Sequence, residues 1–415
     1  MRPVFTETKS RLKRALCVAL PLLAACGGGE ALESEPATEV ASEASPLVLG
    51  ANRYGVVAGG IYNTGDQPLS DATVRNKFFC EMKQLNAKWL RIEADWWTVP
   101  SHDTYRRIVA DAHANGLKVL VLYTHPPFCG DPASGVDRDT YINGYLDKVK
   151  WWTANVFNGT ALNGWSTQAD AIEVMNEPNL EEECSPGVRR FRVEPNTFAW
   201  TLRRVYEWKK ASARTELIVS GGVLNTYTNE SFWPGLFNSN ALLGYKGSPP
   251  WDYFGIHPYN PWSYDWTCVN NLGTTPACFG TTTTGYKANV TNGLKTVRGK
   301  LNTATGVTNV RLFVTEFGFQ ERGSVSEPNN AVRNEAQVAE AMRISAEAFG
   351  DSGVVDYALW YDYRNHADGS GNFGLRTYFN GATRYPSKWE PWHEFQKLSK
   401  GLTARTSDSP DACWP

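Results

Sequence analysis

The sequence lacks an excess of charge of either sign. Its 415 residues include 41 Lys and Arg against 43 Asp and Glu, for a formal net charge of −2. Nucleic-acid-binding proteins present a basic patch or arm to the phosphates, and none stands out in this sequence. We therefore expect no nucleic-acid partner.

Long hydrophobic runs are also missing. The apolar run near the N-terminus, Ala15–Ala25, is much shorter than the roughly 20 residues that cross a bilayer. A basic segment precedes this run and small residues end it, as in secretory signal peptides. The residues Leu-Ala-Ala-Cys at 23–26 resemble the lipobox of bacterial lipoproteins, in which the cysteine becomes the lipidated first residue.

Two segments are thus predicted ahead of the fold. Residues 1–25 form a lipoprotein signal peptide, and residues 26–50 form a flexible acidic tether whose 27–46 stretch holds five Glu and no Lys or Arg. The lipobox resemblance implies a lipid anchor at Cys26 and an extracytoplasmic site on a bacterial membrane. The alternative is an ordinary cleaved signal and a secreted product.

Motifs of the Cys-x-x-Cys type are absent, which argues against a zinc or thiol-redox site. Of the eight cysteines, Cys17 and Cys26 belong to the leader. The other six suit an exported protein with up to three disulfides; they are Cys80, Cys129, Cys184, Cys268, Cys278 and Cys413.

What the sequence does contain, from residue 51 onward, is a regular alternation of short apolar runs with helical patterns. Such an alternation predicts an α/β fold, a single (β/α)8 TIM barrel over residues 51–415. A doubly wound open sheet would alternate similarly, but the first turn, 59–63, lacks Gly-x-Gly-x-x-Gly. The eight predicted strands are Tyr54–Gly59, Lys88–Glu93, Lys118–Tyr123, Ala171–Met175, Glu216–Ser220, Tyr253–His257, Arg311–Thr315 and Val355–Tyr361.

Polar or aromatic side chains end most of these runs. Each of them alone could be a structural polar group, but a barrel collects strand ends at one rim, where active sites lie. No His-x-His ends the first strand, so we expect neither a metal nor an organic cofactor. The candidate site residues are Arg91, His125, Asn176, Glu177, His257, Tyr259, Glu316 and Trp360.

Two carboxylates carry most of the functional inference. Glu177 ends the fourth predicted strand and Glu316 ends the seventh, and these strands face each other across a closed barrel. Two carboxyl groups converging on one cleft are what glycoside hydrolysis needs, one to protonate the leaving oxygen and one to attack the anomeric carbon.

Asn-Glu-Pro at 176–178 together with Glu-Phe-Gly at 316–318 resembles the retaining (β/α)8 glycoside hydrolases of clan A, with families 5 and 39 the most similar. The resemblance implies that Glu177 is the general acid/base and Glu316 the nucleophile, with their carboxyl groups roughly 5–5.5 Å apart. It implies that Asn176 holds the sugar 2-hydroxyl. It also implies that Arg91 and Tyr259 donate hydrogen bonds to the nucleophile and that the sugar stacks on the ring of Trp360. His125 and His257 match polar residues that many members carry at strands 3 and 6.

The aromatic content bears on the substrate. The chain has 16 Trp, 18 Tyr and 18 Phe, and aromatic rings at a cleft rim stack on sugars. Trp262, in the loop after the sixth strand, is a further substrate-binding candidate, and we expect a monomer that cleaves a β-linked polysaccharide in an endo manner. Two other functions fit the same residues: a non-catalytic glycan-binding lipoprotein on a hydrolase scaffold, and a transglycosylase.

A closed barrel suggests how the six cysteines pair. The expected disulfides are Cys129–Cys184 between neighbouring loops, Cys268–Cys278 within one loop, and Cys80–Cys413 between the first helix and the C-terminal tail. Mass mapping of unreduced peptides should recover these three cross-linked pairs. A Cys80–Cys129 link would contradict this arrangement.

Overall fold

The computed structural model describes the chain in a series of segments. These are residues 48–58, 69, 71–94, 102–124, 137–179, 182–183, 190–191, 193–224, 232–245, 247–259, 283–319, 334–363, 373–376, 389–406, 408–409 and 412–413. Several predictions fall outside them: the signal peptide and most of the tether, Cys26, His125, Trp262, Cys129, Cys184, Cys268 and Cys278.

The described strands close into one barrel, which confirms the predicted fold. Eight parallel strands follow the order β1, β2, β3, β4, β7, β8, β9 and β10 around the barrel, and β10 pairs with β1. Their bounds are β1 Tyr54–Val57, β2 Trp89–Ala94, β3 Lys118–Tyr123, β4 Ala171–Asn176, β7 Leu217–Leu224, β8 Phe254–His257, β9 Leu312–Phe317 and β10 Val355–Trp360. A short antiparallel pair, β5 Glu182–Glu183 and β6 Arg190–Phe191, follows β4.

Helices connect successive barrel strands. In the described segments they are α1 Ala72–Gln84, α2 His102–Ala114, α3 Arg138–Asn155, α4 Pro195–Ala211, α5 Phe232–Phe237, α6 Asn240–Leu243, α7 Thr283–Thr305, α8 Glu335–Ser352 and α9 Trp389–Lys400. Among the residues described, no helix is both long and apolar enough to cross a membrane.

The helix ends follow from local sequence. The Asp71 carboxylate accepts hydrogen bonds from the Thr73 and Val74 amides and caps α1. Asn334 and Gln337 form a reciprocal capping box at the start of α8, and Gly353 ends that helix in the left-handed region at φ 64°. These caps fix the start of α1 and both ends of α8 relative to the barrel.

The strands are buried on both faces, which explains their nearly continuous apolar composition. One face packs outward against the helices, and the other fills the barrel with residues such as Trp89, Leu120, Phe313 and Leu359. The rings of Trp89 and Phe313 lie 5.3 Å apart near the N-terminal ends of the strands. This packing leaves the opposite end of the barrel for polar side chains.

Two described segments that flank the barrel strands are held to the barrel. Cys80 of α1 and Cys413 form a disulfide with a Cα–Cα distance of 5.8 Å, which is the expected pairing. Ahead of β1, Leu49 is buried and its amide donates to the Ala346 carbonyl. Leu49, just before the predicted start of the barrel domain at residue 51, therefore packs with the core.

A histidine clamp joins α2 to the segment before β4. His113 Nδ1 lies 2.7 Å from the Ser166 carbonyl oxygen, and Nε2 lies 2.9 Å from Asp170 Oδ2. Burial opposes the charged imidazole, but the hydrogen bonds to Asp170 and Ser166 outweigh it and raise the pKa of His113. The protonated form therefore stabilises the fold.

We predict that His113→Gln lowers the free energy of unfolding by on the order of 1–2 kcal/mol below about pH 6. The raised pKa means that this contribution is fully present below the unfolded value and is lost as pH rises through the folded value. Urea unfolding of both proteins across pH should show the deficit shrinking as pH rises through the raised pKa of folded His113. A deficit that grows with pH would contradict the assignment.

Candidate active site

The structure brings six of the predicted site residues together at the C-terminal ends of the strands. Each of the strands β2, β4, β8 and β9, or the residues directly after it, contributes at least one of them. The six are Arg91, Asn176, Glu177, His257, Tyr259 and Glu316.

The backbone of β4 departs from regular strand geometry where its site residues begin. Met175 and Glu177 have positive φ values of 71° and 39°, which is uncommon for residues other than glycine. As a result Val174 and Met175 both pack into the outer core. Asn176, which follows them, accepts a hydrogen bond from Arg91 inside the barrel.

A bulge in β9 aims the second carboxylate. Val314 pairs with Ala358 and Phe317 pairs with Trp360, so β9 contains one residue more than β10 between the two pairs. Val314 and Phe317 both pack outward. The extra residue lets Thr315 and Glu316 both reach the interior, a common use of bulges beside active sites.

Arg91 connects three acceptors through its planar guanidinium group. Its Nε donates to Glu173 at 2.5 Å, and its Nη2 donates to Asn176 Oδ1 at 2.9 Å. Its Nη1 donates to Glu316 Oε1. Burial disfavours the charged guanidinium, but the carboxylates of Glu173 and Glu316 outweigh this and raise the pKa of Arg91.

Glu316 is held as a carboxylate from several sides. Tyr259 donates its phenol proton to Glu316 Oε2 at 2.9 Å, and His257 Nδ1 lies 3.7 Å from the same oxygen. Burial raises the pKa of Glu316. The charges of His257 and Arg91 and the Tyr259 hydrogen bond lower the pKa by more than burial raises it, so the net shift is downward. An ionised carboxylate directed into the barrel mouth is a suitable nucleophile.

Glu177 lies at the end of a hydrogen-bonded chain. Its Oε1 is 2.9 Å from His257 Nδ1, and His257 Nε2 is 3.0 Å from Thr315 Oγ1. A hydroxyl can donate or accept, so His257 can donate to an ionised Glu177 or accept from a protonated one. The hydrogen bonds from Glu177 through His257 to Thr315 can therefore form in both protonation states of Glu177.

His257 is fully buried, and Gly222 provides room for it. A Cβ at Gly222 would overlap the imidazole ring. Burial disfavours the imidazolium, but the Glu316 charge and the Glu177 hydrogen bond outweigh it and raise the pKa of His257.

The two carboxylates are close enough to act on one bond. One oxygen of Glu177, one oxygen of Glu316 and a ring nitrogen of His257 all lie within 4.8 Å of one another. These three atoms could also ligate a metal ion. A cation there would compete with Arg91 and Tyr259 for Glu316, so the arrangement suits proton transfer and nucleophilic attack better.

Trp360 does not form the expected sugar-stacking floor. It is 0% exposed, it packs outward against Phe317 and Phe319, and its Nε1 donates to the Phe373 carbonyl. Side chains alternate along a strand, so the neighbouring residue faces the opposite way. Tyr361 takes the inward position, with its ring centroid 6.4 Å from that of Tyr259 and 5.4 Å from that of Phe373.

Three site residues were not identified in the sequence: Glu173, Thr315 and Tyr361. Glu173 interrupts an otherwise apolar strand, which is the signal that could have revealed it, since a buried charge needs a partner. The inward positions of Thr315 and Tyr361 depend on the β9 bulge and the end of β10, and neither has a sequence signature.

The sequence matches no protein-family model and no curated protein. Its fold is similar to those of solved glycoside hydrolases. A GH1 β-glucosidase from Exiguobacterium antarcticum B7 aligns with a TM-score of 0.53 and 14% identity, over 86% of this chain and 97% of that chain. A family 51 α-L-arabinofuranosidase from Bifidobacterium longum gives 0.55 and 11%, over 87% and 75%.

An endo-laminarinase from Formosa aligns with a TM-score of 0.50 and 12% identity, over 87% of this chain and 98% of that chain. At these identities the likeness shows a shared barrel fold, and the neighbours themselves act on different substrates. The nearer resemblance to families 5 and 39 stays a prediction.

We predict that Tyr259→Phe raises the pKa of Glu316, because it removes one hydrogen bond that stabilises the carboxylate. Carbon-13 NMR of protein labelled at the glutamate carboxyl carbon should follow this titration, with the Glu316 signal assigned by its loss in Glu316→Gln. Tyr245→Phe is the matched control, since Tyr245 lies beside Glu207 on the outer layer. An unchanged Glu316 titration in Tyr259→Phe would contradict the geometry.

Proposed function

We propose that the protein is a retaining glycoside hydrolase that cleaves a β-linked glycan by double displacement. Glu316 is the nucleophile and Glu177 the general acid/base. The observation that carries the proposal is the pair of carboxylates at the ends of β4 and β9, with one oxygen of each within 4.8 Å of the other. Retaining enzymes space their carboxyl groups roughly 5–5.5 Å apart for direct attack and inverting enzymes roughly 6.5–9.5 Å apart to admit a water, so the close approach of these two oxygens supports the retaining assignment.

In the first step Glu316 attacks the anomeric carbon and the glycosidic bond breaks. Arg91 and Tyr259 support this role, because they hold Glu316 ionised and fix both of its oxygens. Glu177 gives its proton to the leaving oxygen. The product is a covalent glycosyl-enzyme and a released alcohol.

In the second step Glu177 takes a proton from water while that water attacks the glycosyl-enzyme. Glu177 must therefore be hydrogen-bonded when protonated and when ionised. The His257 and Thr315 contacts meet this requirement, since the imidazole can exchange its donor and acceptor nitrogens. The proton returns to Glu177 and Glu316 leaves as a carboxylate.

Other residues position the sugar. Asn176 is assigned to the 2-hydroxyl at the cleavage point, with its amide fixed by the Arg91 hydrogen bond to Oδ1. Tyr361 and Phe373 supply aromatic surface next to Tyr259. His125 and Trp262 keep their predicted polar and stacking roles in substrate binding.

The carboxylate pair and the predicted leader support the substrate class that we assign. We assign an endo action on a β-linked polysaccharide outside the cytoplasm, by a monomer anchored through lipidated Cys26. The solved glycoside hydrolases with a similar fold are named as a β-glucosidase, an α-L-arabinofuranosidase and an endo-laminarinase, so a carbohydrate is the substrate class they support.

We predict that Glu316→Gln lowers kcat by about 10⁴-fold or more, because no other described side chain is placed to attack from that position. Glu177→Ala should lower kcat by about 10²–10⁴-fold on natural glycans. Azide should restore its turnover of activated aryl glycosides, since these need no acid and azide replaces the activated water. The assay is a panel of polysaccharides and aryl glycosides with product sizing.

The matched control is Glu216→Gln, a buried glutamate that pairs with Arg214 just before β7. It should lose stability without losing the pH dependence of turnover. Full activity in both Glu316→Gln and Glu177→Ala on every cleaved substrate would overturn the assignment. Products longer than the substrate would identify a transglycosylase that uses the same two residues.

A further inference from the structure

A third carboxylate lies inside the barrel and has no part in the chemistry above. Glu173 is 0% exposed and lies in the middle of β4, three residues before Asn176. Its neighbours Ile172 and Val174 pack outward against the helices. A buried carboxylate among apolar strands is costly unless it is paired, so its partners indicate its role.

The contacts of Glu173 are all with the interior of the barrel. Its Oε2 accepts from Arg91 Nε at 2.5 Å, and its Oε1 accepts from the Gly222 amide at 3.1 Å. His257 Nε2 lies 3.9 Å from the same Oε1. Glu173 therefore contacts β2, β7 and β8 from its position in β4.

Arg91 depends on this carboxylate for its orientation. The guanidinium is planar, so fixing Nε at Glu173 and Nη2 at Asn176 also fixes the direction of Nη1 toward Glu316. Without Glu173, Nε would be a buried donor that has lost its hydrogen-bond acceptor among the described residues. The full positive charge of Arg91 would then act on Glu316 alone.

We propose that Glu173 is a positioning residue that fixes the plane of Arg91 and limits the positive charge that Arg91 presents to Glu316. The proposal rests on the assigned role of Glu316 as nucleophile. A nucleophile must be ionised yet still basic enough to attack, and an unbalanced cation makes it too weak a base. Glu173 supplies the balancing negative charge without touching the substrate.

Among the described residues, charged and titratable groups on or directly after β2, β4, β8 and β10 face Glu316. The groups that face it are Arg91 from β2, Glu177 after β4, His257 from β8, and Tyr259 and Tyr361 after β8 and β10. Glu173 accepts from Arg91 and its Oε1 lies 3.9 Å from His257 Nε2, so it acts on Glu316 mainly through the Arg91 cation. Removing its charge should stabilise the Glu316 carboxylate.

The test is the pH profile of kcat/KM in Glu173→Gln, which keeps the side-chain volume and removes the charge. The acidic limb, which reports ionisation of the free nucleophile, should move to lower pH by about one unit. The value of kcat/KM at neutral pH should fall about tenfold, because Arg91 is displaced and Glu316 is a weaker base. Glu173→Asp keeps the charge and should keep the wild-type limb.

Glu216→Gln is again the control, since it also removes a buried charge that pairs with arginine, but outside the site. Its acidic limb should match the wild-type limb. A folded Glu173→Gln variant whose activity falls equally at all pH values, with the limb unmoved, would overturn the proposal. That result would mean a structural role only.

Two further measurements test the role of Glu173 even if no glycan is hydrolysed or if the Glu173→Gln variant does not fold. The carbon-13 titration of Glu316 should show the same downward shift without any turnover, so it stands even if no glycan is hydrolysed. If Glu173→Gln does not fold, nitrogen-15 spectra of Arg91 in the wild-type protein decide. They should show a slowly exchanging Nε–H, and a rapidly exchanging Nε–H would overturn the proposal.

Discussion

The site depends on one guanidinium group. Arg91 reaches Glu173 in mid-β4, Asn176 at the end of β4, and Glu316 on β9. These acceptors come together only because the barrel closes, so closure and site assembly are the same event. Charge balance inside the barrel follows from this arrangement: a buried cation lies between two carboxylates, and each group would be costly alone.

The barrel itself supplies the rigidity that holds these groups in place. Aromatic packing near the N-terminal ends of the strands and two buried strand faces leave the interior side chains little freedom. The positive φ values at Met175 and Glu177 cost on the order of 1–3 kcal/mol each. Such a cost persists only where the surrounding packing determines the backbone, and here the strained segment of β4 directs Asn176 and Glu177 toward Glu316.

The sequence alone predicted the barrel because parallel strands buried on both faces produce apolar runs that are easy to recognise. All eight predicted runs overlap the observed strands, and β3 has the predicted bounds. Polar residues at the ends of these apolar runs predicted six members of the candidate site, because a barrel collects its strand ends at one rim. Trp360 was misassigned because successive side chains of a strand point to opposite faces, and the sequence did not show which residue at the end of β10 points inward. The proposed role of Glu173 depends on the three-dimensional position of Arg91, which the sequence does not give.

The central claim is that Glu316 attacks the sugar while Glu177 transfers protons. Its most direct test is incubation with activated 2-deoxy-2-fluoro glycosides, which slow both steps and trap the glycosyl-enzyme, followed by peptide mass spectrometry. The account predicts one sugar per chain, bound through an ester to the peptide that contains Glu316. A sugar bound to Glu177 or another residue, or turnover of the same glycosides with no adduct and with inverted product, would contradict it.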